Sequence, residues 1–437
     1  MASLILLLVG IFCFALCILA FFKPKYALFF LLVLRPVLDH FGPLRTILLP
    51  ILGISGLQTI GVALPFVLIF ACLLKKLDVA HRDVFFFRDR LTNYYLIFVV
   101  SCIPALLLSL NIIPHAGDWL KFLTFWAVCI FAQNFLETAE DSKQVMLWII
   151  IGSLYPLAMF FFDFATLNTV RIGGLVRILG GYYDEKGKFI FAADLLICFV
   201  PAYLYYLAVI KQTIWQRICF LGFCFLIVCI AATNFRTIIV ATLLMCLCFL
   251  FFRKKYITVL TMFTLTVCAI IVVPALRAKF SPVLDSLLHI NDIIGARRTI
   301  YDPLLSTRFG IYRTLINTMA ERFSPGNFIA GYGYNLPLKS FWVDSAHMEF
   351  LQLIFRYGLP SAILFYGFLL ATIRRGIRFR EDAFCQVITS FVIGLCLISL
   401  MGNPFSNVRV LWYLGVYVAI LSKRSCRGGS CERQHCG

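Results

Sequence analysis

"DSAHMEFLQLIFRYGLPSAILFYGFLL", residues 344–370, decides how the chain must be folded. Its second half is a continuous apolar run, while His347, Glu349, Gln352 and Arg356 crowd its first turns. About 20 apolar residues in a helix cross a bilayer core of roughly 30 Å, so the run reads as a membrane span. Lipid penalises the polar residues at its start, so these must face protein or water. The same kind of run recurs throughout a chain that is 62% hydrophobic and only 14% charged. Only helices satisfy every backbone group in lipid at such a composition. A transmembrane barrel would need short alternating strands, which the pattern lacks. The expected fold is an all-α polytopic membrane protein.

Working outward, the candidate spans are residues 3–21, 26–40, 57–74, 92–110, 118–136, 145–162, 189–209, 215–232, 236–252, 257–275, 347–373, 385–402 and 407–422. That gives 13 transmembrane helices, or 12 if the two segments before Phe41 form one re-entrant pair. Met1–Phe22 lacks a basic leader and a small-residue cleavage site, and it reads as the first span rather than a signal peptide. Four units follow: an N-terminal helix bundle (1–275), one large loop with short helices (276–346), C-terminal transmembrane helices (347–422) and a tail (423–437).

Short basic loops set the orientation. KPK at 23–25, the Lys/Arg cluster at 75–90, Lys211 with Arg217, RKK at 253–255, RRGIRFR at 374–380 and KR at 423–424 alternate with the spans. The positive-inside rule puts them in the cytoplasm. Residues 163–188 and the large loop then face outward.

Part of the net charge of +18 is this topological signal. It does not account for arginines on the outer side, among them Arg171, Arg177, Arg236, Arg308, Arg313 and Arg322. Guanidinium forks suit phosphate and carboxylate, which implies an anionic, lipid-linked substrate. Nucleic acid is excluded as a partner, because no basic soluble domain is present to carry it. Of the 17 cysteines, 14 lie in apolar spans, where free Cys behaves as a small hydrophobe. Cys426, Cys431, Cys436 and His435 in the tail match no common zinc spacing. No P-loop, HExxH, GxSxG or Asp-rich metal signature occurs, so neither a metal nor a cofactor is expected.

Polar residues enter the outward ends of the spans at four places. In "VRIGGLVRILGGYYDEKGKFIFAADLL" (170–196), a glycine-rich loop carries Arg171 and Arg177, and Asp194 falls inside the next span. An intramembrane carboxylate either pairs with a nearby arginine to fix packing or lines a wet cavity. In "AATNFRTIIVATLL" (231–244), a tight hairpin puts Asn234 and Arg236 at the outer boundary, either snorkelling to headgroups or binding an anion. "STRFGIYRTLINTMAERFSPG" (306–326) is an amphipathic helix stopped by Pro325-Gly326. Arg308 shares its apolar face with Tyr312, Leu315 and Met319, whereas Arg313 and Glu321 point away. In the opening stretch, Asp344 or Ser345 is the expected N-cap, which puts His347 in the first turn. The positive helix end keeps its imidazole neutral and able to accept a proton. Glu349, Gln352 and Arg356 form an inward-turned stripe that either supports function or pairs internally.

Taken in order, these motifs resemble the O-antigen ligase and polymerase superfamily of bacterial envelope enzymes. The resemblance rests on "LRP" at Leu34–Pro36, the arginine-glycine loop before the span holding Pro201, and "NFRTIIVA" at 234–241. It continues through "TRFGIYRTLI", "IAGYGYN" and "SAHMEFLQLIFRYGLPSAILF". It spans most of residues 25–420, with one departure: Met348 stands where the family commonly has Asn after the histidine.

The resemblance implies glycosyl transfer from a polyprenyl-diphosphate-linked glycan to an acceptor hydroxyl, without metal or nucleotide. The acceptor would be lipid A-core for a ligase or another growing glycan for a polymerase. Arg236, Arg308 and Arg177 would bind the diphosphate, with Arg171, Arg313, Asp194 and Glu349 as further candidates, and His347 would act as base on the acceptor. The polyprenyl tail would lie among membrane lipids between spans. A transporter or flippase of lipid-linked oligosaccharides is the alternative, since it needs the same arginines and no base.

Overall fold

The computed structural model describes residues 15, 18–40, 89–108, 112–136, 138–172, 175–180, 192–272, 316–317, 319–321, 324–332, 348–400 and 402–427. Span 57–74, most of the first span and most of the large loop lie outside the described residues, as do Arg308, Arg313 and His347. The described chain is an all-α bundle. Its helices are α1 (Pro24–His40), α2 (Arg90–Ser101), α3 (Ile103–Leu107), α4 (Ile112–Phe135) and α5 (Ala139–Ala165). After a small hairpin come α6 (Ala192–Ile197), α7 (Val200–Val209), α8 (Thr213–Ala232), α9 (Arg236–Phe252) and α10 (Tyr256–Val272). The C-terminal part holds α11 (Pro325–Ala330), α12 (Glu349–Tyr357), α13 (Leu359–Arg378), α14 (Ala383–Ser399) and α15 (Val408–Arg427). Four described stretches are long and apolar enough to cross a membrane: Arg90–Leu107, Ala139–Ala165, Ala192–Val209 and Thr213–Ala232.

One end of the bundle carries the basic loops, and its helix starts explain how it is fastened. Three helices begin there with an aspartate, which complements the positive helix end. Asp89 caps α2 by accepting the Thr92 amide at 3.1 Å, and Asp382 caps α14 by accepting the Phe384 amide at 2.7 Å. Thr138 and Asp141 form a reciprocal capping box on α5. Each aspartate also takes a cation from another segment: Lys25 on Asp141, Arg375 on Asp89 at 2.6 Å and Arg424 on Asp382 at 3.5 Å. The residues that give the topological signal thus also tie the helix starts together.

Three of the expected single spans are interrupted. The break between α2 and α3 falls at Cys102, that between α6 and α7 at Cys198–Phe199, and that between α12 and α13 at Gly358. A proline sits in the first turn after each break, at Pro104, Pro201 and Pro360, where its missing N–H costs no hydrogen bond. Gly358 has φ +86°, and a Cβ there would meet the Ile329 carbonyl oxygen at 2.1 Å. The expected span 347–373 is therefore two elements. The 20 residues of α13 make a helix about 30 Å long. The short helix α12 lies beyond it and packs against α3, α11 and α13.

Two further expectations are corrected. Residues 170–177 are not plain loop but an antiparallel hairpin, β1 (Val170–Ile172) with β2 (Leu175–Arg177), in which Val170 pairs with Arg177. Pro325-Gly326 does not simply end a helix, because Ser324 caps the new helix α11, accepting the Asn327 amide at 3.3 Å.

Candidate functional site

At the end opposite the aspartate caps, α1, α5 and α8 finish while α6, α9, α12 and α15 begin. This is where the sequence placed its candidate residues. The first group gathers around the turn between α8 and α9. Residue Asn234 adopts φ +58°, which lets the chain reverse in the few residues between the two helices. Strand β2 docks on this turn: the Ile178 amide donates to the Ala232 carbonyl at 3.1 Å, and the Asn234 amide group donates to the Val176 carbonyl at 3.4 Å. Arg177 donates to the Thr233 carbonyl at 3.5 Å, and its guanidinium lies over the Phe235 ring with 4.3 Å to the centroid. Arg236 opens α9 on the next residue. Arg177 and Arg236, far apart in sequence, are thus brought to one turn through Phe235. Both are partly buried, and burial pulls the Arg177 guanidinium below its ordinary pKa. Arg171 lies in β1, opposite Val176 in register.

The second group is a buried charge network. Asp39, at the end of α1, receives the Arg35 Nε and the Arg409 Nε on the same oxygen, each at 3.0 Å. Arg35 also lies over the Trp412 ring, 5.7 Å from its centroid. Asp194 in α6 accepts from the Asn407 amide group at 3.3 Å, with Arg409 in electrostatic reach. Asn407 in turn accepts the Arg409 amide at 3.1 Å, which closes the start of α15. Asp194 therefore has an asparagine as its direct partner, with Arg409 nearby rather than bonded to it. Sequence reasoning missed Asp39, Asn407 and Arg409. The signal was present for Arg409, a lone arginine at the start of an apolar run.

The third group lines a small pocket formed by Lys121, Phe122, Glu349, Gln352, Arg356, Tyr357 and Phe405 among others. Glu349 is fully buried and accepts the Phe405 amide at 3.1 Å. Gln352 accepts from the Asn403 amide group at 2.6 Å. The stripe Glu349–Gln352–Arg356 turns inward as expected, but toward the segment between α14 and α15 rather than into a span. The cap differs from expectation. The described helix starts at Glu349 with Met348 as N-cap, and the expected caps Asp344 and Ser345, like His347, lie outside the described residues. Gly331, at φ +74°, lets the segment after α11 approach the end of α12, where the Tyr332 amide donates to the Phe355 carbonyl at 2.7 Å. Among the described residues no group of three His, Cys, Asp or Glu side chains comes together that could hold a metal ion.

The family model described as O-antigen ligase matches residues 221–366. The match supports the O-antigen ligase and polymerase superfamily. It takes in the α8–α9 turn with Arg236, the loop holding Arg308 and Arg313, and the stretch with His347 and Glu349. Arg177, Asp194, Asp39 and Arg409 lie outside the matched segment, and Arg177 reaches it through Thr233 and Phe235. A search of curated proteins found no match. The match to an O-antigen ligase model and the apolar helices together point to a membrane protein.

Proposed function

We propose that the protein is a glycosyltransferase of the inner membrane that moves a glycan from a polyprenyl diphosphate carrier to an acceptor hydroxyl on the outer face. The observation that carries this reading is the turn at Thr233–Arg236, where β2 brings Arg177 beside Arg236 within or next to the ligase-matched segment. A diphosphate leaving group gains negative charge as the bond to the anomeric carbon breaks. Arginines held beforehand by a ring stack and backbone contacts stabilise that charge without rearranging in the transition state. Arg177 and Arg236 take this role, with Arg308 from the large loop as third member and Arg171 and Arg313 behind them. His347, next to α12, takes the proton from the acceptor hydroxyl. Glu349 anchors α12 to the Phe405 amide and so holds the chain that follows His347. The acceptor is lipid A-core or a second glycan.

A flippase of lipid-linked oligosaccharides is the second reading, and the interrupted spans favour it, since broken helices are common at transporter sites. Purified protein in vesicles, given a polyprenyl-diphosphate glycan and an acceptor, separates the two. New glycosidic bonds support the transferase. Faster transbilayer movement of the lipid-linked glycan with no bond formed replaces it with the flippase. In cells lacking the protein, a glycan ladder collapsed to one repeat identifies a polymerase. Full-length glycan left on the carrier identifies a ligase.

A further inference from the structure

The network Arg35–Asp39–Arg409–Asn407–Asp194 is not used by that chemistry, yet it is the largest buried charge cluster described at this end of the bundle. Two arginines offset two aspartates, so it brings no net charge to a substrate. Burying four ions costs several kcal/mol apiece before pairing, and a tightly packed apolar end would hold the helices as well. What the network supplies is direction. Arg409 bonds Asp39 through a fixed guanidinium plane, and its neighbour Asn407 bonds Asp194. The start of α15 is thereby locked to the end of α1 on one side and to α6 on the other. Helix α6 packs against both α8 and α9, the two helices whose junction presents Arg236 and receives Arg177.

We propose that Arg409 is a positioning residue for the donor site: with Asn407 and Asp194 it fixes α6, and through α6 the turn that carries Arg236. This rests on the donor reading above. Arg409 touches no substrate in this account. Its loss takes from Asp39 one of its two arginines and from buried Asp194 the nearby Arg409 charge, so α6 shifts to relieve that carboxylate. Removing the Asp194 charge as well restores the balance.

The test uses full-length protein in nanodiscs and two readouts, backbone amide exchange at residues 232–236 and glycan transfer. Arg409→Gln, Asp194→Asn and the double variant are compared with the unaltered chain. Each single variant speeds exchange at the turn while leaving the Asp89–Arg375 end unchanged, and lowers kcat by about tenfold with donor KM nearly constant. The double variant loses no more than the worse single one, because coupled residues are not additive. Unchanged exchange at the turn overturns the proposal. So does a double variant whose loss is the product of the singles, or a rise in donor KM alone, which would put Arg409 on the diphosphate itself. Should Arg409→Gln fail to fold, Asp194→Asn, which keeps an amide partner for Asn407, gives the same reading. If the unaltered protein transfers no glycan, the proposed function fails, and amide exchange alone decides the positioning role.

Discussion

The Arg177 guanidinium lies 4.3 Å from the centroid of the Phe235 ring, and Arg236 is the next residue along the chain. The ring therefore holds one arginine in place beside the other. Phe235→Leu removes the stack and keeps the apolar bulk. A cation–π contact of about 1 kcal/mol corresponds to a fivefold effect. The kcat is expected to fall by roughly that factor with little change in donor KM, as measured with a purified polyprenyl-diphosphate glycan.

Arg236 opens α9 at the turn itself. Arg236→Ala is expected to lower kcat about 100-fold, the usual loss on removing one donor to a developing charge. Arg236→Lys retains the charge without the planar fork and should recover only part of it. Steady-state transfer rates at saturating donor measure both.

Gly358 combines φ +86° with a backbone oxygen of Ile329 only 2.1 Å from any added Cβ. Gly358→Ala should destabilise the junction of α12 and α13 by about 2 kcal/mol or more. Gly326→Ala meets nothing closer than the Ser324 hydroxyl at 3.6 Å and should be silent. Thermal unfolding in detergent, followed by helical circular dichroism, separates the two.

At the opposite end, burial raises the Asp89 pKa, but the Arg375 charge with hydrogen bonds from Arg375, Ser422 and the Thr92 amide outweighs it. The carboxyl is held below its ordinary value of 3.8. A folded pKa below the unfolded one means that ionised Asp89 stabilises the bundle above about pH 4, an advantage lost as pH falls through the folded value. Asp89→Asn should therefore be less stable than the unaltered protein near pH 7, by about 2 kcal/mol for a partly buried pair. The gap should close as pH drops below 4 in a series of unfolding midpoints.

What could be read from the chain beforehand follows from the range of each interaction. The helical, apolar character of the described segments, the basic end and the inward turn of Glu349 and Gln352 depend on local periodicity and charge, and they were legible. The place of Arg177 and Arg236 at the end of the bundle away from the basic loops was legible for the same reason. Their meeting through Phe235 was not, because it needs β2 to fold back on the α8–α9 turn. The breaks at Cys102, Cys198 and Gly358 were overlooked although Pro104, Pro201 and Pro360 marked them, since hydropathy reads straight through a buried interruption. The Asp39–Arg409 pair joins the first described span to the last, and no local pattern connects residues so far apart.

The central claim is bond formation assisted by a base next to α12, and one comparison tests it most directly. Unaltered protein and His347→Ala are assayed side by side in purified membranes with a lipid-diphosphate glycan donor and an acceptor, scoring new glycosidic bonds. The account predicts steady product from the unaltered protein and a loss of 100-fold or so in His347→Ala, with donor binding retained. Full transfer by His347→Ala would contradict it.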